Sequence, residues 1–166
     1  SQEGANQMLQ VSVDFRDEVD DLHGFLQTLK PEDWDRETGF MEWTPWDVVA
    51  HLHFFDRVSM VSLEGEEAFA AERSRLVATM GKGKSNKDLA RERFSDLDAA
   101  SLLGQWHSTA HALAESLGQS EPKRRLPWFG PDMGVPMFTT ARYMETWAHS
   151  QEIYDLVGAA RTHTDR

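Results

Sequence analysis

The chain has 166 residues, with 17 Lys plus Arg against 28 Asp plus Glu, a net charge of −11, 40% hydrophobic residues and no Cys. That length and composition fit one domain around a single core. The missing Cys excludes disulfides, thiolate nucleophiles and sulfur-ligated metals, and the acidic balance excludes nucleic acid as a partner, since Lys123-Arg124-Arg125 is too short a basic run to offset it.

In chain order, Ser1-Gln2-Glu3-Gly4 lacks the basic and apolar regions of a signal peptide, and no apolar run is long enough to span a membrane. A cytoplasmic location is therefore expected. Phe15, Val19, Leu22, Leu26 and Leu29 step by four and three, which predicts a first helix ended by Pro31. Pro31-Glu32-Asp33-Trp34 reads as a short turn. Thr44 as cap, Pro45 in the first turn and Asp47 three residues after the cap predict the start of a second helix. Its stripe runs Val48, His51 (or Leu52), Phe55, Val58 and Ser62 and stops near Gly65. Glu66 to Met80 reads as a further helix, closed by Gly81-Lys82-Gly83-Lys84. Ser85 caps a short helix over Asn86 to Phe94.

Ser95 or Asp98 opens the next long helix, with Leu103, Trp106, Ala110, Leu113 and Leu117 inward and Gly118 as the expected stop. Gln119 to Pro136 holds four of the 6 Pro and reads as a long loop, and its Leu126, Trp128, Phe129, Met133 and Val135 predict that it packs. The last helix is expected from Phe138 to Val157, ended by Gly158, with a frayed tail over 159–166. No alternating β-branched run or hairpin dipeptide is present. The expectation is an all-α fold: a four-helix bundle in one domain over 1–166 (core about 11–158), with short extra helices and a long loop before the last helix.

Bundle interiors host sites built from facing helices, so polar residues on apolar stripes are the candidates. Glu145 and His149 are four apart on the last helix and can grip one divalent ion; a surface pair is the plainer reading. His51 lies on the stripe of the second helix, where a hydrogen-bonded core residue is the plainer reading. His53 points about 200° away, which makes His51 the inward one of the two. His107 and His111 form an equally good chelating pair as a bare pattern, but sit at the edge of the Trp106 stripe, about 100° from its centre.

Trp43-Thr44-Pro45-Trp46-Asp47-Val48-Val49-Ala50-His51-Leu52 resembles the W-T-x-x-D-x-x-A-H-L segment of DinB-like proteins, specifically the mycothiol-dependent maleylpyruvate isomerase N-terminal family. Leu126 to Met133, followed by Thr140-Ala141-Arg142-Tyr143-Met144-Glu145-Thr146-Trp147-Ala148-His149, resembles a metal-binding subgroup of that family. The resemblance covers about 11–158 and implies a four-helix bundle with a divalent ion on His51, Glu145 and His149. Zinc with an open fourth position is the expected occupant, and nickel or iron(II) would accept the same set. The resemblance further implies a low-molecular-weight thiol such as mycothiol, used for isomerisation or S-transfer on a small-molecule substrate.

In that reading Arg142 meets a substrate carboxylate, Trp128 and Phe129 wall the pocket, His107 and His111 serve as acid–base groups, and Asp47 orients His51. The alternatives are hydrolysis by activated water, with Glu152 or a histidine of the Trp106 helix as base, and a non-catalytic metal- or ligand-binding module. The family's isomerases carry a further C-terminal domain that this chain does not include, and its members are often dimers, so a homodimer is an expectation.

Overall fold

The computed structural model describes residues 8–161. Its helices are α1 (Gln10–Leu26), α2 (Pro45–Glu64), α3 (Glu66–Met80), α4 (Asn86–Arg93), α5 (Ala99–Gln119) and α6 (Val135–Val157), with a 3-10 turn at Pro31–Asp35. Four long helices form the bundle. α1 lies against α5 and α6, and α2 also lies against α5 and α6, so α1 and α2 occupy one diagonal. α3 and α4 both pack on α2.

The stripes read from the sequence are the core. Phe15, Val19, Leu22 and Leu26 of α1 meet Val48, Val49 and Leu52 of α2, with Trp106, Leu113 and Leu117 of α5 and Phe138 and Ile153 of α6. Each fully buried side chain of this kind contributes about 1.5–3 kcal/mol. Trp106 is the largest of them and has no exposed surface.

Local chemistry sets most boundaries. Thr44 Oγ1 accepts from Asp47 N at 3.1 Å, while Thr44 N donates to the Asp47 carboxylate at 3.0 Å. This reciprocal box starts α2, and Ser85 with Asp88 repeats it at α4. Asp98 caps α5. Gly65, at φ 120°, turns the chain from α2 into α3.

Two boundaries differ from expectation, and one small element is added. Gly118 does not stop α5, which runs on through it to Gln119. A Cβ there would lie 3.1 Å from Ser12 Cβ and 2.7 Å from Met8 Cε, so this glycine is a close approach of α5 to the start of α1. Pro136 belongs to the first turn of α6, where its missing N–H costs nothing, so the helix begins at Val135 rather than Phe138. The loop before α6 also contains a two-residue antiparallel ladder, Arg125–Leu126 (β1) on Met133–Gly134 (β2). Elements that short leave no periodicity to read. Ser62 Oγ donates to the Pro127 carbonyl at 2.7 Å and Arg73 to that of Trp128 at 3.4 Å, fastening the loop to α2 and α3. Of the predicted tail, 162–166 lie outside the described residues, as do Ser1 to Gly4. No helix among the described residues is long and apolar enough to cross a membrane.

Candidate metal centre

α2 and α6 bring His51, Glu145 and His149 together. Glu145 Oε2 lies 3.8 Å from His51 Nε2 and 3.2 Å from His149 Nε2. One ligand atom from each of the three falls within 4.8 Å of the other two. Four donors at about 2.0–2.1 Å around a tetrahedral zinc ion stand roughly 3.3 Å apart, so small rotations would close this set on an ion. His149 Nδ1 donates to Glu152 Oε1 at 3.1 Å, which turns Nε2 toward Glu145. His51 is buried, and its Nδ1 has no hydrogen-bond partner. What fits an ion is the donor set itself: Nε2 of both rings and one Glu145 oxygen face a common point. The residues fit a divalent ion with an open position.

The three groups also interact strongly in charge. The Glu145 carboxyl is held well below the usual range, first by His149 and then by His51. Burial depresses His149, but hydrogen bonds to Glu145 and Glu152 outweigh it and raise the ring to about 9. His51 moves the other way, lowered chiefly by burial despite its contact with Glu145. A divalent ion taken up here would displace the His149 proton, since a ligating imidazole is neutral.

Aromatic rings hold the imidazoles. Trp43 stacks on His149 with centroids 5.6 Å apart and planes 7° apart, and Phe40 meets the same ring edge-on at 5.6 Å. Trp43 and Phe55 flank His51 at 4.9 and 5.0 Å. Phe40 and Trp43 come from the turn before α2, where Thr38 N bonds the Trp43 carbonyl at 2.8 Å and Trp43 N that of Phe40 at 2.9 Å. Closing it puts Met41 (φ 48°) and Glu42 (φ 62°) in the left-handed region, a strained choice for such residues.

Two cavities, of about 390 and 520 Å³, meet at His51 and Glu145. Trp128 and Phe129 line the first with Met133 and Phe138, so the structure brings both predicted wall residues to the site. Trp128 is itself fixed against Phe69 and Phe138. Asn86 and Lys87, at the start of α4, line the second with Phe40 and Trp43.

Other predicted roles change. Arg142 reaches the first cavity, but its Nε and Nη2 both donate to Asp56 Oδ1, at 3.0 and 2.9 Å. Its charge is spent on a fully buried carboxylate, which makes it a strut between α2 and α6 rather than a free anchor for substrate. Asp47 does not orient His51; it caps α2 and takes a bidentate bond from Arg91 at 2.6 and 2.8 Å. Glu152 orients His149 and is thereby occupied. His107 and His111 line neither cavity and instead share Asp20 of α1. His53 is no outward residue: it is 2% exposed against 8% for His51, because Phe94 covers it with ring centroids 4.8 Å apart.

Phe40, Asp56, Asn86 and Lys87 are among the residues that sequence reasoning missed. Asp56, Ser59 and Ser62 repeat every three residues among apolar neighbours and are all buried, a polar seam that pointed to a partner on another helix. Phe40 carries no local signal.

Comparison with known proteins follows the same lines. The family described as Mycothiol maleylpyruvate isomerase N-terminal domain matches residues 15–154. Two curated relatives from Mycobacterium tuberculosis, "Uncharacterized protein MT0041" of strain CDC 1551 / Oshkosh and "Uncharacterized protein Rv0036c" of strain ATCC 25618 / H37Rv, are each 33% identical over 154 residues. The match covers 93% of this chain and 59% of each relative. No solved structure matches the chain significantly.

Proposed function

Because the chain belongs to the mycothiol maleylpyruvate isomerase N-terminal domain family, we propose that it holds a divalent ion, zinc by preference, on His51, Glu145 and His149 and uses it with a low-molecular-weight thiol in isomerisation or S-transfer. The observation that carries the proposal is the convergence of these three residues, from two helices, where two cavities meet. Two neutral imidazoles and a carboxylate leave a fourth position for an exogenous ligand. A divalent ion there supplies Lewis acidity that favours the deprotonated form of a bound thiol, which a chain without Cys must take from outside.

The chain's own residues prepare that position. Glu152 accepts from His149 Nδ1 and so directs Nε2 toward Glu145 and the ligand position. Burial favours the neutral form of the His51 ring. Trp43 and Phe40 stop the imidazoles from turning, while Trp128 and Phe129 give the first cavity an apolar wall that displaces water. The Arg142–Asp56 pair fixes the register of α6 against α2, and with it the span from His51 to Glu145. Hydrolysis has less support, because Glu152 is engaged with His149 and the α5 histidines stand with Asp20.

The test is elemental analysis of the purified chain after dialysis against a weak chelator, with calorimetric titration of mycothiol into zinc-loaded and zinc-free protein. One tightly held ion, lost in His51→Ala and in His149→Ala, and thiol binding that requires the ion are expected. Retained metal in both variants, or equal thiol binding with and without zinc, overturns the proposal. As the chain spans 59% of the length of its curated relatives, the substrate is best sought with a full-length member.

A further inference from the structure

The α5 histidines that the centre does not use have their own geometry. His107 and His111 are one turn apart and direct both Nε2 atoms at Asp20, on α1. His107 Nε2 is 2.8 Å from Asp20 Oδ1; His111 Nε2 is 3.3 Å from Oδ1 and 3.4 Å from Oδ2. One carboxylate thus accepts from two imidazoles of another helix. These spacings straddle the roughly 3.3 Å edge of a tetrahedral zinc site. A surface ion pair needs only one histidine, whereas here two rings converge.

The rings are also held in place. His23, three residues after Asp20 on α1, stacks on His107 with centroids 3.8 Å apart and planes 19° apart. Glu115 Oε1 lies 3.8 Å from His111 Nδ1, an ion-pair rather than a hydrogen-bond distance. The side chains of His107, His111 and Asp20 are 31, 34 and 47% exposed, so an ion reaches them from solvent and keeps water in its remaining position.

We propose that Asp20, His107 and His111 form a second divalent-ion site, distinct from His51–Glu145–His149, which clips α1 to α5. Two imidazoles and one carboxylate select zinc, copper, nickel or cobalt over the harder calcium and magnesium, which require oxygen donors. With one position left to water and its ligands more exposed than His51 and His149, it is the weaker of the two sites. An ion there binds only the folded chain, because its ligands come from helices about 90 residues apart in sequence, and so raises stability by mass action.

Zinc competition against a chromophoric chelator, with thermal unfolding in parallel, tests this on metal-stripped protein. The unsubstituted chain is expected to take up a weaker equivalent that raises its melting temperature. His107→Gln with His111→Gln should lose that equivalent, its affinity falling at least about tenfold, and with it the added melting temperature. These positions are surface-facing, so circular dichroism should show the fold intact. In His51→Ala with His149→Ala the weaker equivalent should remain, so failure of the main centre and failure of this site give different results. Titrations of the His107/His111 variant that superimpose on those of the unsubstituted chain would overturn the proposal.

Discussion

Removing the Asp56 carboxylate is the perturbation with the largest expected effect outside the apolar core. Asp56 has no exposed surface and Arg142 is 5% exposed, and Nε and Nη2 of the arginine both bond one carboxylate oxygen. Burial pushes the Asp56 carboxyl upward against the pull of Arg142, so the pair is held at some expense in solvation. Asp56→Ala leaves a guanidinium buried without its counter-charge, which costs about 3–5 kcal/mol. For a chain of this size that lowers the melting temperature by roughly 10 °C, read by calorimetry or by the midpoint of urea unfolding at constant slope. Replacing both members with apolar residues, Asp56→Leu with Arg142→Met, should recover most of the loss, since no charge is left unpaired. Zinc affinity should stay reduced in the double variant, because the strut between α2 and α6 is gone. A loss below about 1 kcal/mol in the single variant, or no recovery in the double, would refute the reasoning.

Three further outcomes are expected. Glu152→Ala should weaken zinc binding about 10- to 100-fold by chelator competition while leaving the fold intact, because His149 loses the partner that orients it. Gly118→Leu should destabilise the chain by about 1–3 kcal/mol in urea unfolding, since even a Cβ at this position crowds Met8 and Ser12. The Asp47 carboxyl, though raised by burial, is lowered overall by Arg91 and Thr44; its stabilising contribution is present above the unfolded-state value of about 3.9 and is lost as pH falls through the folded-state value. Asp47→Asn should therefore flatten the acid limb of the stability–pH profile below about pH 4, as followed by circular dichroism.

What the sequence disclosed was mostly what neighbouring residues decide together. The α2 start is written in Thr44, Pro45 and Asp47, and the bond pattern follows from their spacing. The core stripes are legible for the same reason. Gly118 shows the limit: a glycine after a periodic run reads as a stop, while the contact that requires it comes from residues 8–12. Arg142 reads as a free cation because Asp56 is 86 positions away, and His53 reads as outward because the covering ring, Phe94, comes from beyond α4. The three centre residues were found through their resemblance to a family. Their spacing alone left a surface pair and a core histidine as the plainer readings.

The order of the ligands along the chain carries a consequence in time. His51 is on α2 and His149 is on α6, the final helix described. At about 5–20 residues per second of synthesis, His149 emerges on the order of 5–20 s after His51. Until then α2 has no α6 to close against it, and the three candidate ligands are not together. On the proposed function, an ion can reach all three residues together only once α6 has docked on α2, through the openings beside Phe129 and Met41.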